Sequence, residues 1–284
     1  MEFRTAPGSR GLAWFQGGVR VLDRNPRGLL AVSLGLVLVH QVPSLLGAVP
    51  ALWAAVSIVL LLLVPALQAG LFFAIDEACE GRPVAPMHLF EGLRRPGARA
   101  QLIVLGMAVL VASVLVALAA RNILGDDGVR IFAQIMDQAI KPDSKAAQSI
   151  ALPLLKAMAS AMAILFVLMS GLFFAVPRVM FDGRKALPAL GESILACAAN
   201  VLPLTLYGLV LGAVGFVAFL GLGIVAAMLG LLGQVGALLF YGVFLAVIVV
   251  CLLVSTSGNY LAWREVFGHA GRDRAVPPQA GIIV

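Results

Sequence analysis

Few residues of this 284-residue chain could do chemistry, and their surroundings are mostly apolar. His40 and Gln41 stand together in the run "LVLVHQVPSLL". An ionisable group inside a long apolar segment is a functional candidate by default. The ordinary use of such a group is a hydrogen bond to a neighbouring helix. Gln68 and Asn200 are further polar residues in apolar company, as are Thr205, Tyr207, Gln234 and Tyr241. His40, Gln41, Gln68 and Asn200 therefore form a candidate intramembrane polar site, but no spacing brings the four to one place.

Templates for catalysis are absent from the sequence. It contains no HExxH, CxxC, GxSxG, Walker lysine motif or dinucleotide fingerprint. The histidines at 40, 88 and 269 and the cysteines at 79, 197 and 251 lack metal-ligand spacing. No catalytic residue, cofactor or metal ligand is expected. Asp76, Glu77, Glu80 and Glu91 could be interfacial acids of a lipid-headgroup enzyme, but they are interleaved with arginines and read as a charge-balanced loop.

The elements that hold these residues follow from composition. Hydrophobic residues make up 61% of the chain and charged ones 12%, against about 25% charged in a soluble domain. So much apolar surface calls for lipid as solvent. The net charge of +6 comes from scattered Lys and Arg, without the basic stripe and interleaved aromatics of a nucleic-acid binder. The fold class expected is an all-α membrane bundle, with spans near 29–48, 52–75, 101–120, 154–176, 198–220 and 236–258. The domains are then a cytoplasmic segment over 1–28, a six-helix membrane domain over 29–258 and a cytoplasmic tail over 259–284. Residues 1–28 carry five arginines and no signal-peptide h-region, so the first span is expected to be an uncleaved anchor.

Six spans with the N-terminus inside put 15 Lys/Arg on the cytoplasmic side, as the positive-inside rule requires. Arg121, Arg130, Lys141, Lys145 and Lys156 are left outside. A seventh span would place the basic C-terminal tail outside. Six spans leave "GLGIVAAMLGLLGQV" (Gly221–Val235) as an apolar connection, expected as a re-entrant or interfacial segment. Pro43, Pro65 and Pro203 are expected to kink their helices.

Three segments have the pattern of surface helices. In Gly11–Arg24, Leu12, Phe15, Val19 and Leu22 share one helical face. Met87–Leu93 is a shorter version, and Val129, Phe132, Met136 and Ile140 form an apolar stripe on the outer side. All three are expected to lie on the membrane, where they contact lipid or a protein partner.

Two stretches resemble each other. "AGLFFAI" (Ala69–Ile75) and "SGLFFAV" (Ser170–Val176) share five identities at an offset of 101, which also aligns Glu91 with Glu192. Each is followed by Gly-Arg, at Gly81-Arg82 and Gly183-Arg184. Both helices run outward to inward, so this weak internal repeat is parallel, not inverted. The ordinary reading of each Gly-Arg is a helix end and a headgroup-level cation. The sharper one makes Arg82 and Arg184 contacts for a lipid phosphate or another anion.

The stretches "WFQGGVRVLDRNP", "GLFFA", "GESILACAANVLPL" and "NYLAWREVFG" resemble a group of proteobacterial polytopic inner-membrane proteins of unknown function. The resemblance implies a multi-pass protein of the bacterial inner membrane and brings no catalytic residues with it. The function expected is non-enzymatic organisation of membrane lipids or of a membrane partner complex, including self-association. A transporter or channel for a small or lipidic solute is the alternative, and a lipid-headgroup enzyme ranks third.

Overall fold

A computed structural model describes residues 3–137 and 144–268, and among these every regular element is helical. α1 (Arg10–Val21) precedes α2 (Pro26–Leu45) and α3 (Pro50–Cys79). A 3₁₀ turn, η1 (Pro86–Phe90), and the single turn α4 (Glu91–Arg94) lead into α5 (Pro96–Met136). α6 (Lys145–Asp182), α7 (Ala186–Ala199), α8 (Val201–Gly230) and α9 (Gly233–Val266) complete the order. Six of these, α2, α3, α5, α6, α8 and α9, are long and apolar enough to cross a membrane.

Local chemistry sets the boundaries. The Asn25 side chain accepts the Gly28 N–H at 3.2 Å and Pro26 opens α2, where a missing N–H costs nothing. Pro50 and Pro96 open α3 and α5 in the same way. Gly183, at φ +64°, closes α6 in the left-handed conformation that glycine adopts without strain. Pro43, Pro65, Pro153 and Pro177 lie inside continuous helices. Pro203, expected as a kink, sits in the first turn of α8, where it frees no carbonyl.

Several sequence expectations are corrected. Gly221–Val235 is not a separate connecting segment: α8 continues to Gly230 and α9 starts at Gly233. An apolar backbone surrounded by lipid satisfies its own polar groups best by staying helical. The fifth span begins at Val201, because 186–199 forms the separate helix α7. α9 runs to Val266, so 259–266 belongs to a membrane helix and not to a tail.

Packing is concentrated at one end, here called the basic end. α3 is buried from Pro65 to Cys79 through most of its positions, and α9 from Val249 to Val266. In α8 only Pro203 and Tyr207 are buried. Tight contacts depend on small residues, as is usual where lipid removes the hydrophobic drive between helices. Gly70 lies against the Leu89 carbonyl, Gly92 against Ala66 and Gly106 against Leu62, so a Cβ at any of them would overlap backbone.

α1 is docked into the bundle rather than free of it. Its buried face is Gly11, Trp14, Gly18 and Val21, and Trp14 is 1% exposed. Gly11 lies against the Pro203 backbone and Gly18 against Val254 and Gly258. The expected lipid face is turned by about one residue: Leu12 and Val19 are exposed beside the packed face. Likewise η1 and α4 tuck Leu89 and Gly92 into the bundle. On the remote side, Val129, Phe132 and Met136 continue α5 beyond a break at Gly125 and are exposed. Ile140, the last member of that stripe, lies outside the described residues.

Candidate functional site

At the basic end charged residues gather in three groups. At the end of α3, Arg82 reaches Glu77 at 2.6 Å and Asp76 at 3.5 Å, and also pairs with Glu80. The Tyr260 hydroxyl of α9 donates to Asp76. The Arg264 guanidinium sits 5.6 Å from the Tyr260 ring centroid. This group ties the α3 terminus to α9. The Glu77 carboxylate, accepting from Arg82, holds that guanidinium above its already high ordinary pKa.

The second group surrounds Arg178 of α6. Its guanidinium donates to Asp182 and to Glu192, each at 2.6 Å, and lies 4.4 Å over the Phe267 ring. Arg184 reaches the other Glu192 oxygen at 3.0 Å. Arg178, Asp182 and Glu192 have side chains only 11–14% exposed. Charges this well shielded are stable only because they are matched. The Ser193 hydroxyl supports the arrangement, accepting the Phe174 N–H at 3.0 Å and donating to the Ser170 carbonyl at 2.7 Å.

The third group holds α1. Arg10 and the Trp14 indole N–H both donate to Glu265, at 2.7 and 2.9 Å. That hydrogen bond raises the Arg10 pKa further.

The sequence-selected residues fall in different places. Arg82 and Arg184 do sit at the same end, but each is tied to carboxylates, and their side chains are 44% and 49% exposed. His40 is exposed five residues before the end of α2 rather than at mid-span. Its Nδ1 lies 2.8 Å from the Leu36 carbonyl, so it carries the proton. Gln41 and Gln68 are half-buried. Asn200 is fully buried at the α7–α8 joint, accepting the Ala6 N–H at 2.7 Å and donating to the Arg4 and Ala196 carbonyls. Among the described residues no hydrogen bond joins any two of these four. Asn200 is an anchor for the N-terminal segment.

Sequence reading missed the Arg178–Glu192 pair and the Trp14–Glu265 bond. Arg178 and Asp182 are spaced i, i+4, the spacing at which opposite charges meet on a helix, and this was the one available signal. Nothing local announces the long-range partners.

Other cations remain outward-facing. Arg20, Arg27, Arg94, Arg99 and Lys185 are exposed, and none pairs with a carboxylate among the described residues. Exposed Leu12, Val19, Met87, Phe90 and Leu187 lie on the same short elements or beside them. The glycines of the two GLFFA helices face positions that correspond at the same offset of 101, Gly70 the backbone carbonyl of Leu89 and Gly171 the side chain of Leu190. No group of three or more His, Cys, Asp or Glu suited to a metal ion occurs among the described residues.

Comparison with known proteins finds no matching family model, no matching curated protein and no matching solved structure.

Proposed function

We propose that this chain is a non-catalytic, multi-pass protein of a bacterial inner membrane that gathers anionic lipid, or a partner complex resting on that lipid, at its basic end. The basic end faces the cytoplasm in this reading. The observation that carries it is the set of five exposed cations, Arg20, Arg27, Arg94, Arg99 and Lys185, set near exposed apolar side chains on α1, η1 and α7. A Lys or Arg beside an anionic surface contributes about 1 kcal/mol of attraction, and adjacent apolar side chains add burial in the acyl boundary. The internally paired groups serve as a rigid support. Arg82 and Arg184 belong to that support, and each reaches a lipid phosphate only by dividing its guanidinium donors between the phosphate and Glu77 or Glu192. We read the two GLFFA helices as copies of one parallel unit, on the strength of the corresponding Gly–Leu positions.

Native mass spectrometry of the gently extracted full chain tests the reading. Phosphatidylglycerol is expected to be retained over phosphatidylcholine, and changing all five exposed cations to Gln is expected to lower its retention at least tenfold. Retention unchanged in that variant would remove the proposal.

One observation favours the alternative, a transporter or channel for a small or lipidic solute. The buried oxygens of Ser33 on α2 and of Ser257 and Asn259 on α9 lack hydrogen-bond partners among the described residues, and these helices pack together. Reconstituted vesicles that release entrapped solutes and exchange lipid no faster than empty ones would eliminate it.

A further inference from the structure

The end of the bundle remote from the basic rim carries a feature that the lipid-gathering role does not use. α5 departs from helical geometry at Gly125, with φ +67° and ψ 172°, a conformation open essentially to glycine alone. The break turns the segment 126–136 so that it does not continue the line of α5. Between the two parts of α5 and the facing stretch of α6 lies a cleft of about 570 Å³, within the range of roughly 300–1,000 Å³ typical of small-molecule sites. Its walls are apolar, formed by Leu124, Val129, Phe132, Leu154 and Met158, with Ala120 and Ala161 leaving the space between them.

The mouth is polar and its charge is balanced. Arg121 and Asp126 line the cleft and also an adjoining recess with Asn122. They pair at 3.0 Å, but their side chains are 72% and 84% exposed. A pair so exposed is held by little and exchanges partners readily. Asp127 and Arg130 beside it form a pair of their own at 2.7 Å, so the mouth has no net charge. Arg121 stands about 38 Å along α5 from Pro96 at 1.5 Å per residue. That exceeds a hydrocarbon thickness of about 30 Å, which puts the pair at headgroup level.

We infer that this cleft binds one zwitterionic aminophospholipid, with an acyl chain between α5 and α6, its phosphate on Arg121 and its ammonium on Asp126. An apolar slot under a separable pair of opposite charges matches a ligand that has an acyl chain, a phosphate and an ammonium in that order. A phospholipid with a net negative headgroup would meet Arg121 but also the unshielded Asp126. The site is independent of the basic rim, which selects anionic headgroups at the other end.

The test is native mass spectrometry of the full chain incubated with phosphatidylethanolamine or phosphatidylglycerol of matched acyl chains, at rising detergent activation. Ala161→Phe fills the cleft from a half-buried position and is expected to remove the most tightly held phosphatidylethanolamine while leaving phosphatidylglycerol adducts as in the parent. Arg121→Gln is expected to lower phosphatidylethanolamine retention about tenfold. Asp126→Asn is expected to reduce the preference for phosphatidylethanolamine over phosphatidylglycerol. Circular dichroism and monodisperse elution establish that each variant is folded. Ala161→Phe retaining phosphatidylethanolamine as the parent does, or losing both lipids alike, would overturn the inference. So would a cleft that holds the two lipids equally in Arg121→Gln and in the parent.

Discussion

Arg178 shows how a single side chain organises the basic end. It bridges Asp182 on its own helix and Glu192 on α7 while its face covers Phe267 after α9. Replacing it with Leu removes the guanidinium that the shielded Asp182 and Glu192 share and leaves Glu192 the more exposed Arg184, and the loss expected is about 3–5 kcal/mol. Thermal unfolding of Arg178→Leu in detergent checks this, and the triple change with Asp182→Asn and Glu192→Gln is expected to recover part of the loss. Cys197 makes a second residue-scale prediction. Burial pushes its thiol up to about 11, so the reactive thiolate is scarce at pH 8. Alkylation of the folded protein at Cys197 is expected to be far slower than in the unfolded chain, and to accelerate only as pH approaches 11. Because the folded value is the higher one, the stability from keeping this thiol neutral is present below the ordinary thiol range and is lost as pH rises through about 11. Of these residues only the i, i+4 spacing of Arg178 and Asp182 was visible in the sequence. Glu192 and Phe267 reach Arg178 through packing of separate helices, which no local pattern encodes.

At the scale of elements, α1 is the clearest departure from pattern reading. Its Leu12, Phe15, Val19 and Leu22 stripe predicts a helix floating on lipid, yet its glycines and Trp14 dock between α8 and α9. Of the stripe, Leu12 and Val19 stay exposed while Phe15 and Leu22 pack against the core, and the adjacent small-residue side makes the closest protein contact, because close backbone approach needs the absence of a Cβ. Trp14→Ala opens a cavity and removes the bond to Glu265, with an expected cost of about 3–5 kcal/mol. Its readout is a lowered unfolding temperature together with faster proteolysis of the first 25 residues. α5 offers the complementary case, an element whose break is set by one residue. Gly125→Ala forces a side chain into the left-handed region and is expected to cost about 1–3 kcal/mol. The strain is relieved if the helix straightens, so the expected result is a changed distance between spin labels at positions 118 and 132.

For the whole molecule, six helices are long and apolar enough to cross a membrane, an even number that in the proposed topology returns the chain to the side on which it started. The basic end carries α1, η1, α4 and α7, and the lone Gly125 break lies at the other. With the native cysteines replaced, a cysteine introduced at Asp126 is expected to react with a membrane-impermeant maleimide added to intact, outer-membrane-permeabilised cells. One introduced at Lys185 is expected to react only after the inner membrane is opened. The reverse pattern would place the basic end outside and withdraw the cytoplasmic assignment.

Composition and the spacing of apolar runs by themselves determined the all-helical class and the number of long apolar helices, because each such run must satisfy its own backbone in lipid. The Gly183-Arg184 pair likewise marked a helix end, where Gly183 closes α6. Only the tertiary structure decided which arginines are already matched. Arg82 is met by Asp76, Glu77 and Glu80 of its own helix end, as the interleaved charges suggested. Arg178 and Arg184, in contrast, are met by Glu192 only because α7 packs back on α6, and Asp76 meets Tyr260 only because α9 packs on α3. Pairing of charges depends on distances across the bundle, and those are set by how helices pack, not by the order of residues within any one of them.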